Sequence, residues 1–405
     1  MSTSTSANQR VLSGMRSSGR LHLGNYHGAL KNWIKMQREF ECFFMVADWH
    51  ALTTHYDDTS QIESDVWEMV IDWLAAGVNP KQATIFVQSM VPEHAELHLL
   101  LSMITPLSWL ERVPTYKDQQ EKLKERDLST YGFLGYPLLQ ASDILIYKAA
   151  HVPVGEDQQV HVEMTREVAR RFNFIYGRET DFEERVAKAI RNMGGKSAKP
   201  YKAARKLYQE TGDESALAAG HELVTQHGSL TVADRERLIA YLEGGGRQIL
   251  VEPTTLLTEV PKMPGLDGLK MSKSYGNTIG MREENDSVQQ KIKRMPTDPA
   301  RVRLSDPGDP NKCPVWDFHK IYSSTETKEW VEKGCRSAGI GCLECKKPLI
   351  DAVIAEVEPM RERAVQFEEN HDLVKSIVHE GNERARVEAR KTMDDVRQAM
   401  KLNYS

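Results

Sequence analysis

The chain has 405 residues, enough for about two to four domains and a sizeable core. Its 40% hydrophobic, 27% charged and 7% aromatic residues make an ordinary globular mixture, which excludes collagen-like, disordered and disulfide-scaffold chains. The formal net charge of -5 excludes a basic field over the whole protein, but not local basic surfaces. No apolar run approaches the roughly 18 residues a membrane span needs. Residues 1–9 are Ser/Thr-rich and lack the apolar core of a signal peptide. A short flexible tail, a cytoplasmic location and no membrane contact are therefore expected.

Residues 10–178 alternate strand-like and helix-like segments. Val11–Leu12 is a short apolar start followed by glycines. Tyr26, Ala29, Leu30, Trp33 and Ile34 recur at helical spacing. Cys42–Ala47, Thr84–Val87 and His151–Val154 are apolar runs of the kind found in strands buried on both faces. The alternation predicts an α/β fold with a parallel sheet, whose ligands bind beyond the carboxyl ends of the strands. Residues 179–247 change character to charged helix punctuated by Gly194–Gly195 and Gly244–Gly246. From Arg185 to Lys206 there are eight basic residues and no acidic one. A solvated helix surface and a phosphate-facing patch are both consistent with that run. After about residue 283 the pattern is helical to the end, broken by the Asp/Pro-rich loop Pro296–Pro314.

Two segments carry phosphate chemistry. Residues 13–30 read SGMRSSGRLHLGNYHGAL, and they follow the first strand and open a helix. Arg20-Leu21 stands where a P-loop has Lys-Ser/Thr, so this is not a P-loop. His22-Leu-Gly-Asn25 instead sits at a helix N-terminus, where backbone N–H groups and a partial positive charge favour an anion. Gly24, without a Cβ, lets a flat base approach the backbone. A capping histidine explains His22 equally well when it is taken alone. Residues 265–277 read GLDGLKMSKSYGN, a glycine-flanked loop with Lys270 and Lys273. Two mobile ammonium groups suit charge developing on a transferring phosphate. Either lysine alone reads as surface charge.

Together these segments resemble the paired signatures of class I aminoacyl-tRNA synthetases. The surrounding SGMRSSGRLHLGNYHGAL, VPVGEDQQVHVEMTREVARRFN and MPTDPARVRLSDPGDPNKC narrow the resemblance to the bacterial tryptophanyl branch, from about residue 10 to the end except near 179–247. The resemblance implies a Rossmann-like parallel-sheet catalytic domain in two parts (10–178 and 248–283). It also implies a helical insertion (179–247), an all-α anticodon-binding domain (284–405) and a homodimer. The implied reaction activates L-tryptophan with ATP and Mg²⁺, then passes it to tRNA(Trp). By position, His22, Asn25, Lys117, Lys270 and Lys273 match the residues that stabilise phosphate charge. Arg16, Ser17, Ser18, Gly24, Gly155, Glu156, Asp157, Lys262, Met263, Met271, Ser272 and Ser274 match the nucleotide site. Ser17 departs from the family, which usually has proline there.

Amino-acid choice is expected from Tyr136, Gln140, Asp143 and Tyr147, which share one helix face. A buried carboxylate needs a donor, and either an indole N–H or a protein group can supply it. His50 and Gln158 also match pocket positions. The Tyr-x-x-x-Gln-x-x-Asp pattern resembles the tyrosyl pocket too, and many tryptophanyl relatives have methionine at Gln140. Charging with tyrosine is therefore a rival reading. A non-catalytic RNA-binding or redox-sensing paralogue is another, against which intact His22, Lys270 and Lys273 speak.

Of five cysteines, Cys313, Cys335, Cys342 and Cys345 cluster late in the chain. Four thiolates can hold a 4Fe–4S cluster or Zn²⁺, and unligated thiols are the third possibility. The spacing resembles a subset of tryptophanyl synthetases with an iron–sulfur cluster, with a first gap one residue shorter. Lys346, Lys347, Arg336, Arg301 and Arg303 lie near enough in sequence to meet tRNA phosphates. Cys42, inside an apolar strand, reads as plain core.

Overall fold

The computed structural model describes residues 10–113, 129–155, 158–177, 181–244, 248–257 and 263–404. The expected tail 1–9 and the site residues Lys117, Glu156, Asp157 and Lys262 lie outside the described residues. The chain divides into two compact units. One comprises residues 13–90 and 257–384, the other residues 1–12, 91–256 and 385–405. The strand β1 (Arg10–Arg16) gives its first residues to the latter and its last to the former.

In the unit built on residues 13–90 and 257–384, the end of β1 lies beside β2 (Glu41–Ala47), and β2 lies beside β3 (Ala83–Val87). β2 and β3 pair in parallel from Cys42 opposite Ala83 to Val46 opposite Val87. Every residue of β2 after Glu41 and every residue of β3 is buried. That is the continuous apolar signature of a strand covered on both faces. Trp33 stacks on Phe44 at 4.3 Å and meets the edge of Trp73, so β2 is sealed by aromatic rings on that side. Cys42 is 1% exposed, the core residue its strand context predicts. The expected helix after the first turn forms as three joined pieces: Leu23–Asn25, a π-helical Tyr26–Leu30, and Lys31–Met36. The helices Asn285–Arg294, Pro314–Tyr322, Thr325–Arg336 and Cys342–Glu368 follow, and the last packs against Ile62–Ala76.

In the other unit, β1 pairs in parallel with β4 (His151–Val154) at Val11 opposite His151, and β5 (Thr254–Leu257) lies beside β4. The helix Tyr131–Leu145 packs against both Glu93–Ser102 and Gln159–Tyr176. Four further helices, Phe182–Asn192, Gly194–Thr211, Glu214–Thr225 and Val232–Leu242, enclose their own apolar cluster, including Phe182, Ile190, Tyr201 and Leu238. β5 is the one strand the sequence pattern does not announce. It is four residues long and begins after a proline. The last helix, His371–Ala399, contributes residues to each unit. No helix among the described residues is long and apolar enough to cross a membrane.

Candidate active site

The turn after β1 is built to leave polar atoms available. Arg16 is exposed, and its guanidinium donates to Thr54 Oγ1. Ser17 is buried, yet its hydroxyl has no partner among the described residues. Gly19 takes φ +71°, a left-handed conformation that glycine adopts without strain. His22 then precedes the helix, with its backbone N–H donating to Asn25 Oδ1 at 3.1 Å. His22 Nδ1 is also buried without a partner among the described residues. Burial first, and the Lys273 charge second, hold its imidazole down to about 4, so it is neutral at pH 7. A Cβ on Gly24 would stand 2.8 Å from the His22 ring and 3.2 Å from Met271 Cβ. Only glycine lets these groups come so close.

The loop 263–277 is pinned from within by Asn277. Its amide donates to Asp267 Oδ1 at 2.8 Å and to the Lys270 carbonyl at 3.1 Å, and accepts from the Ser272 N–H at 2.8 Å. Met263 and Met271 are buried, whereas Lys270, Lys273 and Ser274 are exposed and Ser272 is half-buried. Ser272 and Ser274 share a hydrogen bond at 2.9 Å.

These two segments meet. The Lys273 ammonium donates to the Ser18 carbonyl, across 255 residues of sequence. The Leu23 N–H donates to the Ile279 carbonyl at 2.9 Å, and the Met281 N–H to the Leu21 carbonyl at 3.1 Å. Leu23 and Met271 enter one apolar core with Met263, Phe318, Ile350 and Val353. Hydrophobic burial thus fixes the backbone of both motifs and leaves the Lys270, Lys273 and Ser18 side chains exposed.

A supporting group escapes the motif search. Asp72 is 1% exposed and accepts from the Leu21 N–H at 2.5 Å, just before His22. Arg282 holds its other oxygen at 2.6 Å and also pairs with Glu68 and Glu368. Burial lifts Asp72 to about 6, against the pull of Arg282 and the Leu21 N–H. The sequence signal is a lone aspartate inside the apolar run Met69–Ala76.

The expected amino-acid-binding face shows a different construction. Tyr136 and Gln140 are half-buried on Tyr131–Leu145, while Asp143 and Tyr147 are fully buried. Asp143 Oδ1 bonds His94 Nδ1 at 2.7 Å, and His94 Nε2 bonds the Tyr147 hydroxyl at 2.7 Å. A protein imidazole therefore meets the carboxylate, so this oxygen does not wait for an indole N–H. Burial, with Asp143 and Glu93 nearby, pushes the Tyr147 phenol well above its ordinary range. His94 is a participant that sequence reading missed; its spacing from Asp143 gives no local pattern. The Gln158 N–H donates to the Gly155 carbonyl at 3.0 Å, at the start of Gln159–Tyr176. His50 is buried in Asp48–His55 of the other unit.

The four late cysteines share one neighbourhood: the charges of Cys313, Cys335 and Cys342 all act on Cys345. Burial pushes the Cys345 thiol up to about 12, and burial likewise raises Cys313 and Cys335. Arg301 Nη1 lies 4.0 Å from Cys335 Sγ, and His319 Nε2 lies 3.4 Å from Cys345 Sγ. Among the described residues, however, no group of three or more His, Cys, Asp or Glu side chains is arranged to hold a metal ion. The closed four-thiolate ligand set expected from the spacing is not assembled here.

Comparison with known proteins decides the family. The family described as tRNA synthetases class I (W and Y) matches residues 4–194 and 218–358. The chain belongs to that family. A protein of Ralstonia nicotianae named tryptophan–tRNA ligase is 63% identical, over 98% of this chain and 99% of its own length. One of the same name from Thermotoga maritima is 44% identical, over 98% of this chain and 100% of its own. Among solved structures, the tryptophanyl-tRNA synthetase of Campylobacter jejuni complexed with ADP and tryptophan matches with a TM-score of 0.71 and 26% identity. That match covers 97% of this chain and 99% of the other. The class I synthetase fold thus accounts for the parallel sheet with its helical layers and for the helical C-terminal region.

Proposed function

We propose that this chain charges tRNA with tryptophan. A carboxylate oxygen of tryptophan attacks the α-phosphorus of ATP, the bond to the bridging oxygen breaks, and pyrophosphate leaves. A ribose hydroxyl at the tRNA 3′ end then attacks the acyl carbon of tryptophanyl-adenylate and loses its proton as AMP departs. Mg²⁺ enters with ATP as part of that substrate. The observation that carries the reading is the end-to-end 63% identity to a tryptophan–tRNA ligase, joined to two phosphate-suited segments folded against each other.

In this reading His22, Asn25, Lys117, Lys270 and Lys273 stabilise charge on the transferring phosphate. Arg16, Ser17, Ser18 and Gly24 cradle the nucleotide with Gly155, Glu156, Asp157, Lys262 and the 263–274 loop. The unpartnered Ser17 hydroxyl and His22 Nδ1 support this, because buried polar atoms without protein partners are rare unless a ligand completes them. Tyr136, Gln140, Asp143, Gln158 and His50 select the side chain. His94 orients the Asp143 carboxylate for that choice. The neutral His22 donates a hydrogen bond without bringing a proton to the reaction. Catalysis here is positioning and electrostatics, with no covalent enzyme intermediate.

The four cysteines are proposed as the ligands of a 4Fe–4S cluster, with Zn²⁺ as the competing metal, outside the reaction steps. The support is their common neighbourhood beside Arg301 and Lys346, two cations suited to offsetting thiolate charge. Anaerobically purified protein is then brown and loses its visible absorbance when iron is chelated. Colourless protein with stoichiometric zinc selects the other metal. A homodimer in the cytoplasm, with a helical insertion and a helical anticodon-reading region, completes the reading. Tryptophan-dependent exchange between ATP and pyrophosphate tests the function directly. Exchange supported by tyrosine alone, or by neither amino acid, overturns it.

A further inference from the structure

The basic run Arg185–Lys206 occupies two helices, Phe182–Asn192 and Gly194–Thr211, in the four-helix segment that encloses its own core. One side of the second helix is fixed inward. Tyr201 is fully buried and its hydroxyl donates to the Leu238 carbonyl at 2.5 Å. Arg205 lies 3.8 Å over the Tyr241 ring and donates to that residue's carbonyl at 2.8 Å. Lys196, Lys199, Lys202 and Lys206 recur at spacings of three, three and four, which puts them together on the opposite side. All four are exposed, and so are Lys188 and Arg191 on the preceding helix. At a rise of about 1.5 Å per residue the lysine row runs for about 15 Å.

Several helical cations elsewhere in this chain sit beside an acid one turn away, although the exposed Lys293, Arg294, Lys333, Lys347 and Lys375 are scattered over other helices without one among the described residues. Arg166 has Glu163 at 3.1 Å, Arg170 has Glu167 at 2.8 Å, Lys320 has Asp317 at 2.7 Å, and Arg336 has Glu332 at 3.2 Å. In the lysine row only Lys206 has such a neighbour, Glu210 at 3.9 Å. Lys188, Arg191, Lys196, Lys199 and Lys202 have no acidic partner among the described residues. Like charges one turn apart weaken a helix by a few tenths of a kcal/mol per pair, so the row gives the fold nothing. It also lies where the family match is interrupted, between residues 194 and 218. A surface-solubility role predicts mixed signs, whereas residues 185–206 carry eight basic side chains and no acidic one.

We propose that this lysine row is a docking surface for the phosphate backbone of the tRNA substrate. The proposal rests on the tRNA-charging reading above, and it adds a contact outside the reacting centre. A rigid helix presenting one ammonium per turn suits a flexible polyanion. Its binding energy comes from counterion release and carries no base information.

The test uses the full chain carrying Lys196→Ala, Lys199→Ala and Lys202→Ala together. These positions are exposed and alanine favours helix, so the fold is retained. Affinity for a tryptophan-accepting tRNA is measured between 50 and 200 mM salt, beside tryptophan-dependent ATP–pyrophosphate exchange, which needs no tRNA. The proposal expects at least tenfold weaker tRNA binding at 50 mM salt and unchanged exchange. It also expects the slope of log affinity against log salt to shrink by about two, since each lost phosphate contact removes about 0.7–0.9. Restoring charge with Lys→Arg at the three positions restores both values. Unchanged affinity and slope overturn the docking surface while leaving the tRNA-charging reading intact. Failure of the unaltered chain to support exchange with tryptophan overturns that underlying reading instead.

Discussion

The two ends of the proposed substrate are met by opposite constructions. Around His22 and Lys273, apolar residues anchor the backbone, the Lys273 ammonium is held by a carbonyl, and Ser17 Oγ and His22 Nδ1 have no hydrogen-bond partner among the described residues. Around Asp143, three polar side chains are buried and satisfy one another in a chain from carboxylate to imidazole to phenol. A phosphate carries its own charge and brings Mg²⁺, so its binding loops can leave cationic side chains exposed. An indole offers one donor and much apolar surface, so choosing it requires a carboxylate prepared in a dry environment. Exposure serves the first task and burial the second.

If that contrast is right, cutting the buried chain has the largest effect. His94→Ala removes the imidazole that joins the Asp143 carboxylate to the Tyr147 hydroxyl, and the loss expected is roughly 3–5 kcal/mol of stability. Denaturant unfolding measures it. Tryptophan affinity in the folded fraction falls while ATP affinity holds. A shift below about 1 kcal/mol breaks the comparison, because the buried network would then be dispensable.

The open end responds in rate. Lys273→Ala removes an ammonium that this reading moves from the Ser18 carbonyl to the transferring phosphate. Such a donor is worth about 3–4 kcal/mol, or 100- to 1000-fold in the activation step. Stability to denaturant changes little because the side chain is exposed. A variant that loses several kcal/mol of stability yet keeps its activation rate while folded would reverse the assignment of roles.

Between these lies the brace under the turn. Asp72→Asn keeps an acceptor for the Leu21 N–H but deprives Arg282 of its most buried carboxylate. A loss of about 1–3 kcal/mol is expected, together with a raised KM for ATP and an unchanged KM for tryptophan. Equal changes in both KM values would mean that Asp72 supports the fold at large and not the turn.

How far these features can be read from sequence follows from their range. β2 and β3 declare themselves because strands buried on both faces are apolar throughout, and the His22 and Lys273 motifs because phosphate chemistry needs specific residues close in sequence. The meeting of those motifs depends on Leu23 and Met271 sharing a core, which no local pattern records. The His94–Asp143 bond is similarly invisible, since a buried carboxylate demands a donor without naming it. The Asp72–Arg282 pair lies 210 residues apart, and only the oddity of an aspartate among apolar neighbours hints at it. β5 is too short for periodicity to mark.

At neutral pH the smallest effect is a proton. His22 is held down to about 4, against an ordinary value of 6.5. In the folded chain it stays neutral throughout that interval, whereas in the unfolded chain it takes up a proton. The unfolded state therefore binds more protons between about pH 4 and 6.5. The stability that this histidine confers is complete above 6.5 and is lost as pH falls toward 4. The activation step likewise keeps a neutral imidazole until pH approaches 4. NMR titration of the imidazole, assigned by its disappearance in His22→Asn, reads this directly. A midpoint near 6.5 would mean that solvent reaches the ring freely. The turn would then lack the dry backing that the packing of Leu23 and Met271 provides, and the open end would be open on both sides.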